Sequence, residues 1–118
     1  MVLIVRRSKH DRGVEEIVNR LKNSSVKYDD VSTHLSYGHR KSGCEGEMDV
    51  IAYYKGNVLI FEFKCNDSYN LRAKAFKQLS KAAKHFKEQN VYTFYAYWHK
   101  REVVYEKVAS RSLENEGL

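Results

Sequence analysis

The chain has no apolar run long enough to cross a bilayer and no signal-peptide pattern. Its opening Met-Val-Leu-Ile-Val is too short for either, and Arg6-Arg7 follows that run instead of preceding it. An intracellular, cytoplasmic protein with no membrane partner is therefore expected. Cysteine is scarce, and Cys44 and Cys65 fit neither a disulfide framework nor a zinc-site spacing. Two reduced thiols are expected. Repeats, low-complexity tracts and signs of a second domain are absent. What remains is 118 residues of ordinary hydrophobic content, enough for one domain with a real core. We expect that domain over residues 1–108 and a polar, frayed tail over 109–118. Charge is unbalanced, with 21 basic against 15 acidic residues and a net +6. Such an excess favours a polyanionic partner, nucleic acid first, through phosphate neutralisation.

Two apolar runs, residues 48–54 and 58–63, flank Lys55-Gly56-Asn57. Both are rich in β-branched and aromatic residues and the tripeptide is turn chemistry, which predicts a β-hairpin. A turn centred on Lys55-Gly56 pairs residues whose numbers sum to 111, and so sets Asp49 across from Glu62. Cross-strand Cβ atoms lie about 4.5–5.5 Å apart, close enough for two carboxylates to share a divalent cation. Lys64 is two residues past Glu62 and points to the same face. Both faces of each strand are apolar, which predicts central strands covered by helices on either side. Charges at the end of such strands are costly to bury unless paired or bound to metal. A salt bridge of Lys64 with Glu62 or Asp49 is the simpler account, and a metal site the functional one.

Residues 2–5 form a short apolar run, a candidate edge strand. Ser8-x-x-Asp11 resembles a capping box and predicts a helix over 9–22, with Val14, Ile17, Val18 and Leu21 as its apolar stripe. Glu16 points nearly opposite that stripe and should be solvated. Glu15 and Asp11 lie on one flank and His10 close to the stripe. Glu15 is the expected site acid, with Asp11 in reserve. An irregular candidate strand over 26–35 carries Tyr28, Val31 and Leu35, and residues 36–46 read as a loop. That loop holds His39, Arg40, Lys41 and Ser42, suited either to gripping a phosphate backbone or to a plain solvated connection. Residues 65–68 look like a turn and N-cap region before a long helix to about Glu88. Leu71, Ala75, Leu79, Ala82, Ala83 and Phe86 are its apolar face. A lysine stripe opposite is solvated surface, and Gln78 falls beside the apolar stripe where it can face the sheet. An aromatic strand over 91–98 puts Tyr92, Phe94, Ala96 and Trp98 on one side and Thr93, Tyr95 and Tyr97 on the other, for core packing or base stacking. A last strand over 102–108 completes a small α/β sandwich.

Gly46-Glu47-Met48-Asp49, then Phe61-Glu62-Phe63-Lys64, then a helix carrying Gln78, resembles the PD-(D/E)xK nuclease superfamily. The helix–strand–strand–strand–helix–strand order over roughly residues 9–98 is similar to its core. The resemblance implies an α/β fold with a restriction-endonuclease-like core, a central mixed β-sheet flanked by helices (αβββαβ). Chain length and the Gly-Glu-x-Asp approach look most like archaeal-type Holliday junction resolvases. The chain departs from the pattern in having Met48 where a proline is usual, and its first helix lacks the usual Glu-Arg motif.

The resemblance implies a metal-dependent DNA endonuclease. Asp49, Glu62 and the Phe63 carbonyl would hold Mg²⁺ or Mn²⁺, hard cations that prefer oxygen ligands, with Glu15 completing the shell through water. Lys64 would orient the attacking water and stabilise developing charge, and Gln78 would position Lys64 or the phosphate. The implied partners are DNA, branched or junction DNA first, and a second copy of the chain in a C2 homodimer. A restriction- or repair-type nuclease on duplex or flap DNA, and a non-catalytic nucleic-acid-binding module of the same fold, are the alternatives.

Overall fold

The computed structural model describes residues 8–37, 46–86 and 89–111. The expected edge strand over 2–5, the basic loop residues His39, Arg40, Lys41 and Ser42, Cys44, Glu88 and the tail from residue 112 lie outside them. Seven elements follow in order: α1 (Lys9–Lys22), β1 (Asp30–Tyr37), β2 (Gly46–Tyr54), β3 (Asn57–Lys64), α2 (Tyr69–Ala83), β4 (Asn90–His99) and β5 (Glu102–Arg111). The strands form one sheet in the order β1-β2-β3-β4-β5. Only β3 and β4 are parallel, joined by the α2 crossover, so the sheet is mixed. No helix among the described residues is long and apolar enough to cross a membrane.

The helices begin where their caps require. The Ser8 hydroxyl accepts from the Asp11 N–H at 3.0 Å and Ser68 accepts from the Leu71 N–H at 3.3 Å, each satisfying a donor the first turn leaves orphaned. On α1, Val14, Ile17 and Leu21 are buried against Val50, Ala52, Phe61, Phe63, Ala96 and Val103. On α2, Ala75, Leu79 and Ala82 are buried against Met48, Ile51, Val58, Ile60, Val91 and Tyr95. The sheet therefore has a helix on each face, which is why β2 and β3 are apolar on both sides. Gly13 lets α1 approach this closely, since a Cβ there would lie 2.1 Å from Cζ of Phe63.

The hairpin has the expected register, Val50↔Phe61 through Tyr54↔Asn57. Lys55 and Gly56 take φ of 45° and 80°, the paired positive values of a type I′ turn. Lys100 and Arg101 repeat that geometry at φ 48° and 67° between β4 and β5. Several boundaries differ from expectation. β1 starts at Asp30 and runs through Tyr37, because Tyr37 is buried and its ring crosses Gly46, where a Cβ would lie 2.4 Å from the hydroxyl oxygen. Ser36, Tyr37 and Gly46 are thus strand, not loop. α2 stops at Ala83, followed by Lys84 as its cap. His85 and Phe86 then bond back three residues to Ala82 and Ala83, a tightened turn that leaves Phe86 against Tyr53. β5 continues to Arg111, with Ala109, Ser110 and Arg111 paired to Thr93, Tyr92 and Val91, so the tail cannot begin at 109.

Candidate functional site: two buried carboxylates at the end of the hairpin

A two-residue turn makes Tyr54 and Asn57 a hydrogen-bonded pair, and the alternation of an antiparallel ladder extends this to 52/59, 50/61 and 48/63. The observed pairing stops at Val50↔Phe61. Beyond it, the Phe63 N–H donates to Oδ2 of Asp49 at 2.8 Å, so a side-chain carboxylate replaces the strand carbonyl that a regular ladder would supply. The alternation of β2 also breaks here. Met48 packs with Ile51 and Tyr53 toward α2, while Val50 and Ala52 pack toward α1. On β1 the facing residue, His34, has φ 53°, and the β1–β2 register is unchanged on either side of it. Positive φ in a non-glycine residue is strained backbone held by its surroundings.

Asp49 and Glu62 are consequently side-chain neighbours and not ladder partners, as the sequence register had placed them. They are 7 % and 5 % exposed and are the only buried carboxylates among the described residues. Lys64 Nζ lies 3.5 Å from Oε1 of Glu62. Burial first, and then the charge on Asp49, push the Glu62 carboxyl up to about 8, with Lys64 pulling the other way. In a strand, the N–H and C=O of one residue face the same neighbour. The Phe63 carbonyl therefore faces the side of Asp49, where β2 has left the ladder.

Glu15 is exposed on α1, and His10 of the same helix reaches the site. Its Nε2 lies 3.3 Å from Oδ2 of Asp49, its ring meets Phe63 edge-on at 5.5 Å, and Asp11 lies 4.0 Å from its Nδ1. His10 is close to the α1 stripe in sequence, which was the available signal. Glu16 is half-exposed and pairs with Arg20, whose guanidinium donates to the Val103 carbonyl at 2.7 Å and ties α1 to β5. Gln78 is half-buried on α2, and its Oε1 is buried without a hydrogen-bond partner. Cys65 is a half-buried free thiol.

His34 and Glu47 were not anticipated. Their Nδ1 and Oε1 atoms lie 3.1 Å apart, and with Asp49 they bring one ligand atom each within 4.8 Å of one another. Glu47 is two residues from Asp49, a spacing visible in sequence. His34 needed the β1 register, which its polar strand conceals. The arrangement can hold a cation between buried oxygens and present an ammonium group beside it. No family model, curated protein or solved structure matches this chain.

Proposed function

We propose that the protein is a metal-dependent DNA endonuclease with the restriction-endonuclease-like core of the PD-(D/E)xK superfamily, acting on branched DNA in the manner of a junction resolvase. The observation that supports this most is the gathering of Asp49, Glu62 and Lys64 where β2 leaves β3, with both acids buried and the Lys64 ammonium 3.5 Å from Glu62. Two carboxylates and a main-chain carbonyl are a hard oxygen donor set, which fits Mg²⁺ or Mn²⁺. Asp49, Glu62 and the Phe63 carbonyl would hold the ion. When bound, it would polarise the scissile phosphate and acidify a coordinated water.

The chain's own groups divide the remaining work. The Phe63 N–H and His10 fix Asp49 through Oδ2. Lys64, held by Glu62, presents a donor to the attacking water and to the phosphoryl oxygens that gain charge as the P–O bond breaks. Gln78 brings an unsatisfied amide oxygen from α2 on the face that Val58 and Ile60 share by alternation with Glu62 and Lys64. Glu15 would act through water. A resolvase would work as a homodimer, one site for each of two symmetric strands.

The test is cleavage of labelled four-way junction, flap, single-stranded and linear duplex DNA with Mg²⁺, Mn²⁺ or EDTA. Paired, metal-dependent nicks confined to the junction are expected, lost in Asp49→Ala, Glu62→Ala and Lys64→Ala. Cleavage of flap or duplex alone would discard the resolvase and keep the nuclease. Binding without cleavage of any substrate would leave the non-catalytic module.

A further inference from the structure

A second feature stands beside the carboxylates and is not explained by them. A cavity of about 340 Å³ opens between the first turn of α1 and the β4–β5 turn, lined by Lys9, Arg12, Trp98 and Arg101. Among the described residues its wall holds three cationic side chains and no acid. Lys9, Arg12 and Arg101 make no ion pair with any described residue. Asp11, the acid of the first turn of α1, lies beside His10 instead. Like charges held together without a counter-ion repel, and an anion supplied from outside removes that cost.

The cavity is also built, not incidental. The Trp98 indole N–H donates to the Lys9 carbonyl at 2.9 Å, which ties the β4–β5 turn to the start of α1. The same indole meets Phe63 edge-on at 6.1 Å, and Phe63 holds Asp49 through its N–H. Lys9 precedes His10, which reaches Asp49 from the helix side. The cavity is therefore linked to the carboxylates through the contact of Trp98 with Phe63 and through the first turn of α1.

We propose that this cavity seats a backbone phosphate of the nucleic-acid strand adjoining the one at Asp49 and Glu62, with Arg12, Arg101 and Lys9 as its donors and the Trp98 indole as its apolar wall. The assignment rests on the nuclease reading for the identity of the polyanion, and on the cavity alone for its chemistry. Arginine suits it because a guanidinium presents paired donors to phosphate oxygens. The seat sets which way a strand crosses the carboxylates, since contacts to phosphate fix register without reading sequence.

Trp98 is the only tryptophan of the chain, so intrinsic fluorescence reports on the cavity directly. The experiment follows binding of labelled duplex and four-way junction DNA in EDTA, as salt is raised, to wild type and to Arg12→Gln/Arg101→Gln. The double variant should bind about tenfold or more weakly, with a log–log salt slope shallower by about two, and DNA should no longer quench Trp98. Lys74→Gln/Lys77→Gln, on the exposed face of α2, should keep the wild-type slope, and Arg12→Lys/Arg101→Lys should recover part of the affinity. Unaltered affinity and slope in the glutamine variant, with the fold intact, would overturn the proposal. So would a phosphate-only outcome, in which inorganic phosphate quenches Trp98 and the variant abolishes that response while DNA binding is untouched. Failure of the nuclease reading looks different: Asp49→Ala or Glu62→Ala would cleave like wild type whatever the cavity variants do.

Discussion

Glu62→Gln should make the protein more stable at alkaline pH while disabling its site. The Glu62 carboxyl is raised from 4.5 to about 8 by burial and by Asp49, so the folded state holds a proton that the unfolded state releases. Stability from this group is complete below the unfolded value of 4.5, falls as pH rises, and levels off above about 8. At about 1.36 kcal/mol per pH unit, the loss across that window is on the order of 5 kcal/mol. Glutamine keeps the shape and cannot ionise. Its unfolding free energy should therefore match that of wild type near the acid end and exceed it progressively up to about pH 8. Other titrating groups are common to both proteins and cancel in the difference. Urea unfolding at intervals across the window, in EDTA, gives the two curves. Mg²⁺ should then narrow the gap by stabilising wild type and not the variant, since a ligand that binds only the folded state adds stability by mass action. Parallel curves without metal would refute the electrostatic argument, and equal gains from Mg²⁺ would remove Glu62 from the ion's ligands.

Gly13→Ala should cost about 1–3 kcal/mol, because its Cβ would meet the buried Phe63 ring at 2.1 Å; a melting temperature equal to wild type would show that α1 can lift off the ring. Arg20→Ala should cost about 1 kcal/mol or more by stranding the Val103 carbonyl, against less than about 0.5 kcal/mol for Glu16→Ala, both read from urea midpoints. His10→Ala should lower cleavage or raise the Mg²⁺ requirement roughly tenfold with little change in melting temperature. If Glu15→Ala is damaging and His10→Ala is silent, the acid of α1 serves the site and the histidine does not.

The parts legible in sequence were those fixed by short-range rules. Ser8 and Ser68 announce helix starts through local hydrogen bonds. Lys55-Gly56 sets the hairpin register, and from it follows the meeting of Asp49, Glu62 and Lys64. The turn rule could not show that the ladder would stop at Val50, because the carboxylate that replaces it acts through tertiary packing. His10 reaches Asp49 only because Gly13 seats α1 against Phe63, a contact between residues fifty positions apart in the chain. β1 was misplaced for another reason. Most of its residues are at least partly exposed, so neither face leaves an apolar alternation, and its end is set by Tyr37 closing over Gly46. The ends of α2 and β5 were likewise decided by partners, Tyr53 for Phe86 and the start of β4 for Ala109–Arg111.

The kink at His34 has a bearing on how copies of this protein can meet. Among the described residues β1 forms one margin of the sheet, and an uninterrupted eight-residue margin would be a template for a neighbour's strand. With φ of 53° at His34, that margin is split into the short runs on either side. A second chain adding itself strand to strand would meet that distortion in the middle of the margin. The backbone distortion that attends Asp49 thus also makes this margin a poorer template for a neighbouring strand than a regular one.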